Sequence, residues 1–212
     1  MRAMTLVIGN KNYSSWSLRP WIALKVLGIA FEEEIVFLDK PDTQEKIRRH
    51  NPAGRVPCLI DGELKIWDSL AILEYLAEKH PRLWPADAAQ RARARSVSAE
   101  MHSGFPALRN AMSMNVRKRY PGKGRSVEVD LEVRRIEEIW AEARKPFLFG
   151  PFCAADAMYA PVVLRFRTYE PPLAAASRAY MDAMLGLPAL QEWIAAAERE
   201  GEAIPKYDAM YG

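Results

Sequence analysis

The chain has 212 residues, enough for one large or two small folding units. Half of them are hydrophobic, so a sizeable core is available, and 30 Lys+Arg against 27 Asp+Glu leave a net charge of +3, too small a surplus to call for a nucleic-acid partner. No apolar run reaches the roughly 18 residues of a membrane span, and the opening "MRAMTLVIG" has no signal-peptide cleavage pattern.

Cys58 and Cys153 lack CxxC or metal-ligand spacing, and His50, His80 and His102 form no HxxxH or HExxH pattern. A reduced, cytoplasmic protein without a metal is expected. In chain order, "MTLVI" reads as a buried strand. "SLRPWIALKVLGI" has helical spacing and stops at Gly28. "EEIVFL" (33–38) reads as a second strand, "TQEKIRRH" as a short polar helix, and "VPCLIDGELKIW" as a hairpin turning at Asp61-Gly62. "DSLAILEYLAEKH" is an amphipathic helix. The order β-α-β-α-β-β-α implies a parallel first pair with a right-handed crossover and an antiparallel last pair.

"PRLWPADAA" carries two prolines and reads as a linker, 81–89. Beyond it strand signals nearly vanish. "QRARARSVSAEMHSGFPALRNAMSMNVRKRY" reads as one long helix bent near Gly104 and Pro106. Further helices follow at "SVEVDLEVRRIEEIWAEARK", "CAADAMYAPVVLRFRTY", "ASRAYMDAML" and "PALQEWIAAAERE". The expectation is an α/β unit over 1–80 and an all-helical unit over 90–212. The basic stretch "RKRYPGKGR" reads as a solvated helix end.

"NYSSWSLRP" opens the first helix. Pro20 lacks an amide hydrogen and belongs in a first turn, where those hydrogens have no helical partner. That assigns the N-cap to Ser17 and leaves Ser14 and Ser15 just ahead of a positive helix end, either as plain turn residues or as part of an anion site. In "GRVPCLI", Pro57 stands at a strand start, where proline is disfavoured. It is either an edge-strand proline or follows a cis bond that leaves the Val56 amide and carbonyl free to pair with an extended peptide. In "IWDSLAIL", Asp68 and Ser69 either cap the helix or hold an ammonium and a carboxylate.

Taken together, "NYSSWSLRPWIALKVLGI", "NPAGRVPCLIDGELKIWDSLAILEYL" and "FLFGPFCAADAMYAP" resemble the glutathione transferase superfamily over nearly the whole chain. The resemblance implies a thioredoxin-like N-terminal domain with a mixed four-stranded sheet, followed by an all-helical domain. It implies glutathione as co-substrate, a small electrophile as second substrate, and a homodimer. By it, Ser14 faces the glutathione sulfur with Ser15 beside it. Val56, ahead of a cis Pro57, pairs with the cysteinyl backbone, Asp68 and Ser69 take the γ-glutamyl end, and Lys40 takes the glycyl carboxylate. Met101, Phe105, Leu108, Arg109 and Met112 are expected to line the electrophile pocket between the domains. The serine-type start is most similar to the zeta class, which includes maleylacetoacetate isomerase, and in part to the tau class. Trp16 stands where the zeta motif has cysteine, and Thr168 where it has a substrate-binding arginine. Cys153 replaces the usual hydroxyl cap ahead of Asp156, whose part is structural.

The expected activity is conjugation of the glutathione thiolate to small, largely apolar electrophiles. The alternatives are glutathione-dependent cis-trans isomerisation of an unsaturated dicarboxylic acid and a non-catalytic glutathione-binding or interaction module. A free thiol titrates at about 8.5. Lowering that by about two units takes about 2.7 kcal/mol. A serine hydroxyl supplies about 1.5–3 kcal/mol and a helix start about 0.3–1 kcal/mol, so no histidine base is required.

Overall fold

The computed structural model describes residues 4–211; residues 1–3 and 212, the outer ends of the two expected units, lie outside it. The first half runs β1 (Met4–Ile8), α1 (Ser15–Leu27), β2 (Phe31–Ile35), α2 (Thr43–His50), β3 (Cys58–Asp61), β4 (Leu64–Ile66) and α3 (Ser69–Lys79). The sheet order is β2-β1-β3-β4. β1 and β2 are parallel, Met4 opposite Phe31 through Ile8 opposite Ile35, and the other two pairs are antiparallel. This is the mixed four-stranded sheet of a thioredoxin-like domain.

Two details depart from the sequence reading. β2 is Phe31–Ile35, not 33–38. It is an edge strand and needs no apolar face on its outer side. Its glutamates work as anchors instead: Glu33 meets Lys11 at 2.5 Å and accepts from Trp21 Nε1 at 2.7 Å. The apolar stretch after it leaves the sheet, with Val36 N donating to Ile8 O and Leu38 N to Asn10 Oδ1, both at 2.8 Å. The second departure is the start of α1. Its N-cap is Ser14, so Pro20 lies inside the helix and withholds the amide that would serve the Trp16 carbonyl. Ser17 is fully buried and accepts from Gly9 N at 3.0 Å, pinning the end of β1 to the first turn of α1. Gly28 closes the helix at φ 70°, a left-handed conformation that glycine adopts without strain.

After a 3-10 turn at Pro81–Leu83 come α4 (Ala88–Ser103), α5 (Pro106–Ala111), α6 (Val127–Ala141), α7 (Ala154–Tyr169), α8 (Ala175–Leu185), α9 (Pro188–Arg199) and α10 (Pro205–Asp208). The single long helix expected from Gln90 onward is thus two helices and an irregular segment. Gly104 turns extended, Phe105 sits at φ 62°, and Pro106 opens a new first turn. Beyond Ala111 tertiary bonds replace helical ones. Tyr120 N donates to Thr168 O at 2.7 Å, Thr168 Oγ1 to Asn115 O at 2.9 Å, and Tyr169 OH to Ser113 O at 3.0 Å. These bonds lay the segment along α7, the helix buried on nearly every side.

α1 packs between α3 and α7 and reaches α9, where Trp21 meets Trp193 edge-on at 5.0 Å. The loop between β1 and α1 is held from remote parts of the chain. Glu200 accepts from Lys11 N at 2.9 Å and Asn12 N at 3.2 Å, and Asn12 bonds Asn115 and the amide of Arg117. Arg117, read from sequence as solvated, donates instead to Tyr13 OH and to the carbonyls of Glu200 and Glu202. Cys58 and Cys153 are both free and buried.

At the start of α7, buried Asp156 accepts from Cys153 N at 2.9 Å, Leu148 N at 3.0 Å and Tyr180 OH at 3.0 Å. Burial pushes its carboxyl up to about 6, against the pull of those bonds. A native pKa above the unfolded one means that the folded state holds a proton which the unfolded chain has lost. This contribution to stability is full below the unfolded value and fades as pH rises through about 6. Asp156→Asn turns an amide toward a backbone donor and destabilises throughout. Because asparagine does not titrate, its deficit against wild type should be about 1 kcal/mol larger near pH 5 than near pH 7.5 in denaturant melts.

Glu200→Ala tests the hold on the loop. Amide exchange at Lys11 and Asn12 should accelerate about tenfold, one lost hydrogen bond's worth, while the global melting temperature barely moves.

Candidate functional site

The held loop delivers Ser14 and Ser15 to the floor of a cleft of about 650 Å³. Both are 6% exposed. One wall comes from the first half: Leu38 and Asp39 after β2, the inner face of α2, and Gly54–Val56. The other comes from Arg109 and Asn110 of α5, Ser113, Arg165 of α7, and Ile204 to Met210 around α10. A larger hollow of about 760 Å³ lies between α3, the 3-10 turn and α4. It contains none of the serines, so the smaller cleft is the functional candidate.

The two hydroxyls have different partners. Ser14 Oγ lies 2.7 Å from Ser17 Oγ, and Ser15 Oγ accepts from Arg165 Nη2 at 3.2 Å. Arg165 also donates to the carbonyl of Met112 and, at 3.5 Å, to that of Arg109. Arg19, fully buried, donates to Ser69 Oγ at 3.4 Å and packs over the Trp16 ring at 4.2 Å. Arg109 packs over the same ring at 4.9 Å and donates to Gly104 O and Met101 O. Among the described residues no carboxylate forms a salt bridge with any of these three arginines. Burial, compounded by Arg109 and Arg165, holds Arg19 well below the usual guanidinium range. Burial, with Arg109 beside it, brings Arg165 down to about 10, so it stays charged at neutral pH. Burial also lowers Arg109. The buried Arg19 Nε and His102 Nδ1 have no hydrogen-bond partner.

The expected site residues divide clearly. Ser14, Ser15, Val56 and Arg109 meet in the cleft. Buried Pro57 stands behind Val56, and the bond between them is cis. Among the described residues the Val56 N–H and C=O make no hydrogen bond. Asp68 caps α3, its Oδ1 accepting from Leu70 N at 2.9 Å, while Oδ2 meets His102 at 3.0 Å. Ser69 is fully buried against Arg19. Lys40 is exposed and paired with Glu202 at 2.7 Å. Four of the five expected pocket residues do not reach the cleft. Met101, Phe105, Leu108 and Met112 are buried in the core, because the break at Gly104–Pro106 turns that side of α4 and α5 inward.

Sequence reasoning gives no site role to Arg165, which lies near but out of register with the zeta arginine, to Tyr13 or to the α10 wall. A lone arginine inside "YAPVVLRF" was a legible signal; its target, 150 positions away, was not. Thr168, at the register of the zeta arginine, is buried and donates to Asn115 O. Among the described residues there is no group of three His, Cys, Asp or Glu able to hold a metal, and no helix is long and apolar enough to cross a membrane.

Comparison with known proteins gives the lineage. The family models "Glutathione S-transferase, N-terminal domain" and "Glutathione S-transferase, C-terminal domain" match residues 13–79 and 130–196. A probable maleylacetoacetate isomerase from Caenorhabditis elegans is 41% identical over 100 residues, 46% of this chain and 46% of the relative. The chain thus spans about half the length of the curated relatives it matches, 46% and 52% for two maleylacetoacetate isomerase relatives. Among solved structures, a maleyl pyruvate isomerase described as a bacterial zeta-class glutathione S-transferase superposes with a TM-score of 0.72 at 25% identity, covering 94% of this chain and 100% of that one. A Burkholderia glutathione transferase homolog with bound glutathione superposes at 0.73 and 23% identity, covering 94% and 100%, and shares the fold. Two matching halves, one fold over nearly the full length, and the serine-bearing cleft between them lead to one conclusion: the chain belongs to the glutathione S-transferase family.

Proposed function

We propose that this chain is a glutathione transferase that activates the tripeptide's thiol at the start of α1 and presents it to a small electrophile in the cleft. The observation that carries this reading is the pairing of two hydroxyls at a helix start with buried positive charges that lack carboxylate partners. An anion placed there meets donors whose desolvation the fold has already borne.

The residues present fit glutathione. The unpaired N–H and C=O of Val56 suit the backbone of an extended peptide. Asp68, exposed at the start of α3, suits an ammonium, while Ser69, fully buried against Arg19, presents no hydroxyl to a ligand. Lys40 is assigned no part, because its ammonium is engaged by Glu202. When bound, glutathione supplies the sulfur nucleophile. The protein's share is to hold the tripeptide extended, to offer hydroxyl donors where negative charge develops, and to close the second half of the cleft with α5 and α10. The unit boundaries near 80 and 90, a cytoplasmic location and a homodimer belong to the same reading.

Ser14→Ala should cut turnover by about a hundredfold or more while the dissociation constant for glutathione changes little, as expected for a donor acting mainly where charge develops. Unchanged turnover across about pH 6–8 would remove Ser14 from the chemistry. Failure of the wild-type protein to bind immobilised glutathione would favour a non-catalytic interaction module.

A second reading, isomerisation of an unsaturated dicarboxylic acid, is favoured by one observation. The cleft carries Arg55, Arg109, Arg165 and Lys206 against Asp39, a wall better matched to a carboxylate-bearing electrophile than to a wholly apolar one. The named isomerase relatives support it. Arg109→Ala should raise KM for maleylacetone about tenfold and leave KM for a neutral aryl halide unchanged. Equal effects on both would leave transfer to apolar electrophiles as the single reading.

A further inference from the structure

Arg165 is the one charged residue of α7 whose guanidinium ends at the cleft floor, and it arrives there almost wholly buried, at 5% exposure. A guanidinium has donors and no acceptor. Its contact with Ser15 therefore has a fixed sense: Nη2 donates and Ser15 Oγ accepts. Ser15 must direct its own proton elsewhere. Among the described residues no protein acceptor takes that proton, and the direction left open is the cleft. Ser14 differs, because its hydroxyl shares a contact with Ser17, either oxygen serving as donor, and Ser17 is already bonded by the Gly9 amide.

We propose that Arg165 is a positioning residue for the sulfur: it occupies the acceptor side of the Ser15 hydroxyl, aims that proton into the cleft, and places a buried positive charge behind it. This rests on the glutathione-binding reading above. Chemically, the S–H bond of the bound thiol breaks, its proton leaves to water through the open cleft, and the electron pair stays on sulfur as acceptor of the Ser15 hydrogen bond. Nothing is oxidised or reduced.

The charges around this point favour that anion. Arg109 on α5 and Arg19 on α1 face Arg165 and each other, while Tyr169 of α7 and Tyr207 of α10 stand beside it. The carboxylates that act on the cluster are Asp68 on Arg19 and Glu132 on Arg109. Glu132 is spent on the amides of Ala107 and Leu108. A hydroxyl bonded from behind by a cation is also a stronger donor than an isolated one.

The test is an ultraviolet titration of the thiolate of bound glutathione on the full-length protein, with binding measured separately by calorimetry. Ser15→Ala and Arg165→Met should each raise the thiol pKa by about one unit, a tenfold loss of thiolate below the transition, with glutathione affinity within about threefold of wild type. The double variant should fall well short of the sum of the two single shifts, because both remove the same hydrogen-bonded link and only the charge of Arg165 acts apart from it. Ser15→Thr, which keeps the hydroxyl, should restore the wild-type titration. Arg165→Lys, which keeps the charge and loses the planar fork, should fall between. Arg165 also supports the Met112 carbonyl, so if Arg165→Met does not fold, the Ser15 pair decides the matter. A wild-type thiol pKa in Ser15→Ala with glutathione bound, or additive shifts in the double variant, overturns this proposal alone. Absence of glutathione binding by the wild-type protein overturns the parent reading with it.

Discussion

Arg19 and Arg109 pack over the Trp16 ring, Arg165 lies near enough for its charge to act on both, and none of the three forms a salt bridge with a carboxylate among the described residues. Burying a charge costs several kcal/mol unless it is well bonded. Here the compensation comes from neutral groups: the indole face at 4.2 Å and 4.9 Å, main-chain carbonyls of Met101, Gly104, Arg109 and Met112, and the hydroxyls of Ser15 and Ser69. Carbonyls and a π face offset desolvation without cancelling the field. The site therefore keeps a positive potential that a salt bridge would have consumed. The Ser15 and Ser69 hydroxyls sit within that residual charge.

That arrangement needs the two halves of the chain to stay in register. The loop carrying Ser14 is fixed by Glu200 and by Asn115, and Tyr13 donates to Asp208 at 2.8 Å. Arg165 reaches Ser15 from a helix in the second half. The floor of the site is thus a joint product of segments remote in sequence, and the helical half contributes to the serine end of the cleft as well as to its far wall.

Most of the sheet and of the helix order is legible, because α2, α3 and α6 have helical spacing and clear ends, and β1 and α7 are apolar runs with clear bounds. The misreadings share a cause. β2 lies two residues before "EEIVFL" because the apolar run Ile35–Leu38 is the stronger strand signal, whereas an edge strand tolerates the outward glutamates that occupy it. Placing Pro20 in a first turn assigns the cap to Ser17, but the helix is capped at Ser14 with Pro20 inside it, and the Ser17 oxygen is taken by Gly9 across the loop. The long helix was extended through Phe105 because the residues on both sides are apolar at helical spacing. They are indeed buried, and only the backbone turn at φ 62° separates the two helices. Ser14, Ser15 and Val56, singled out by the resemblance, line the cleft. Arg165 stands out in the sequence as a cation in an apolar helix, but its partner 150 positions away has no local signature.

The buried cysteines carry one practical corollary. Cys58 and Cys153 are 0% and 3% exposed, and burial pushes both thiols up, away from the reactive thiolate. A fold proposed to work on a borrowed sulfur has sequestered both of its own. Alkylating or disulfide-exchange probes applied to the native protein therefore register the guest's chemistry against a silent host.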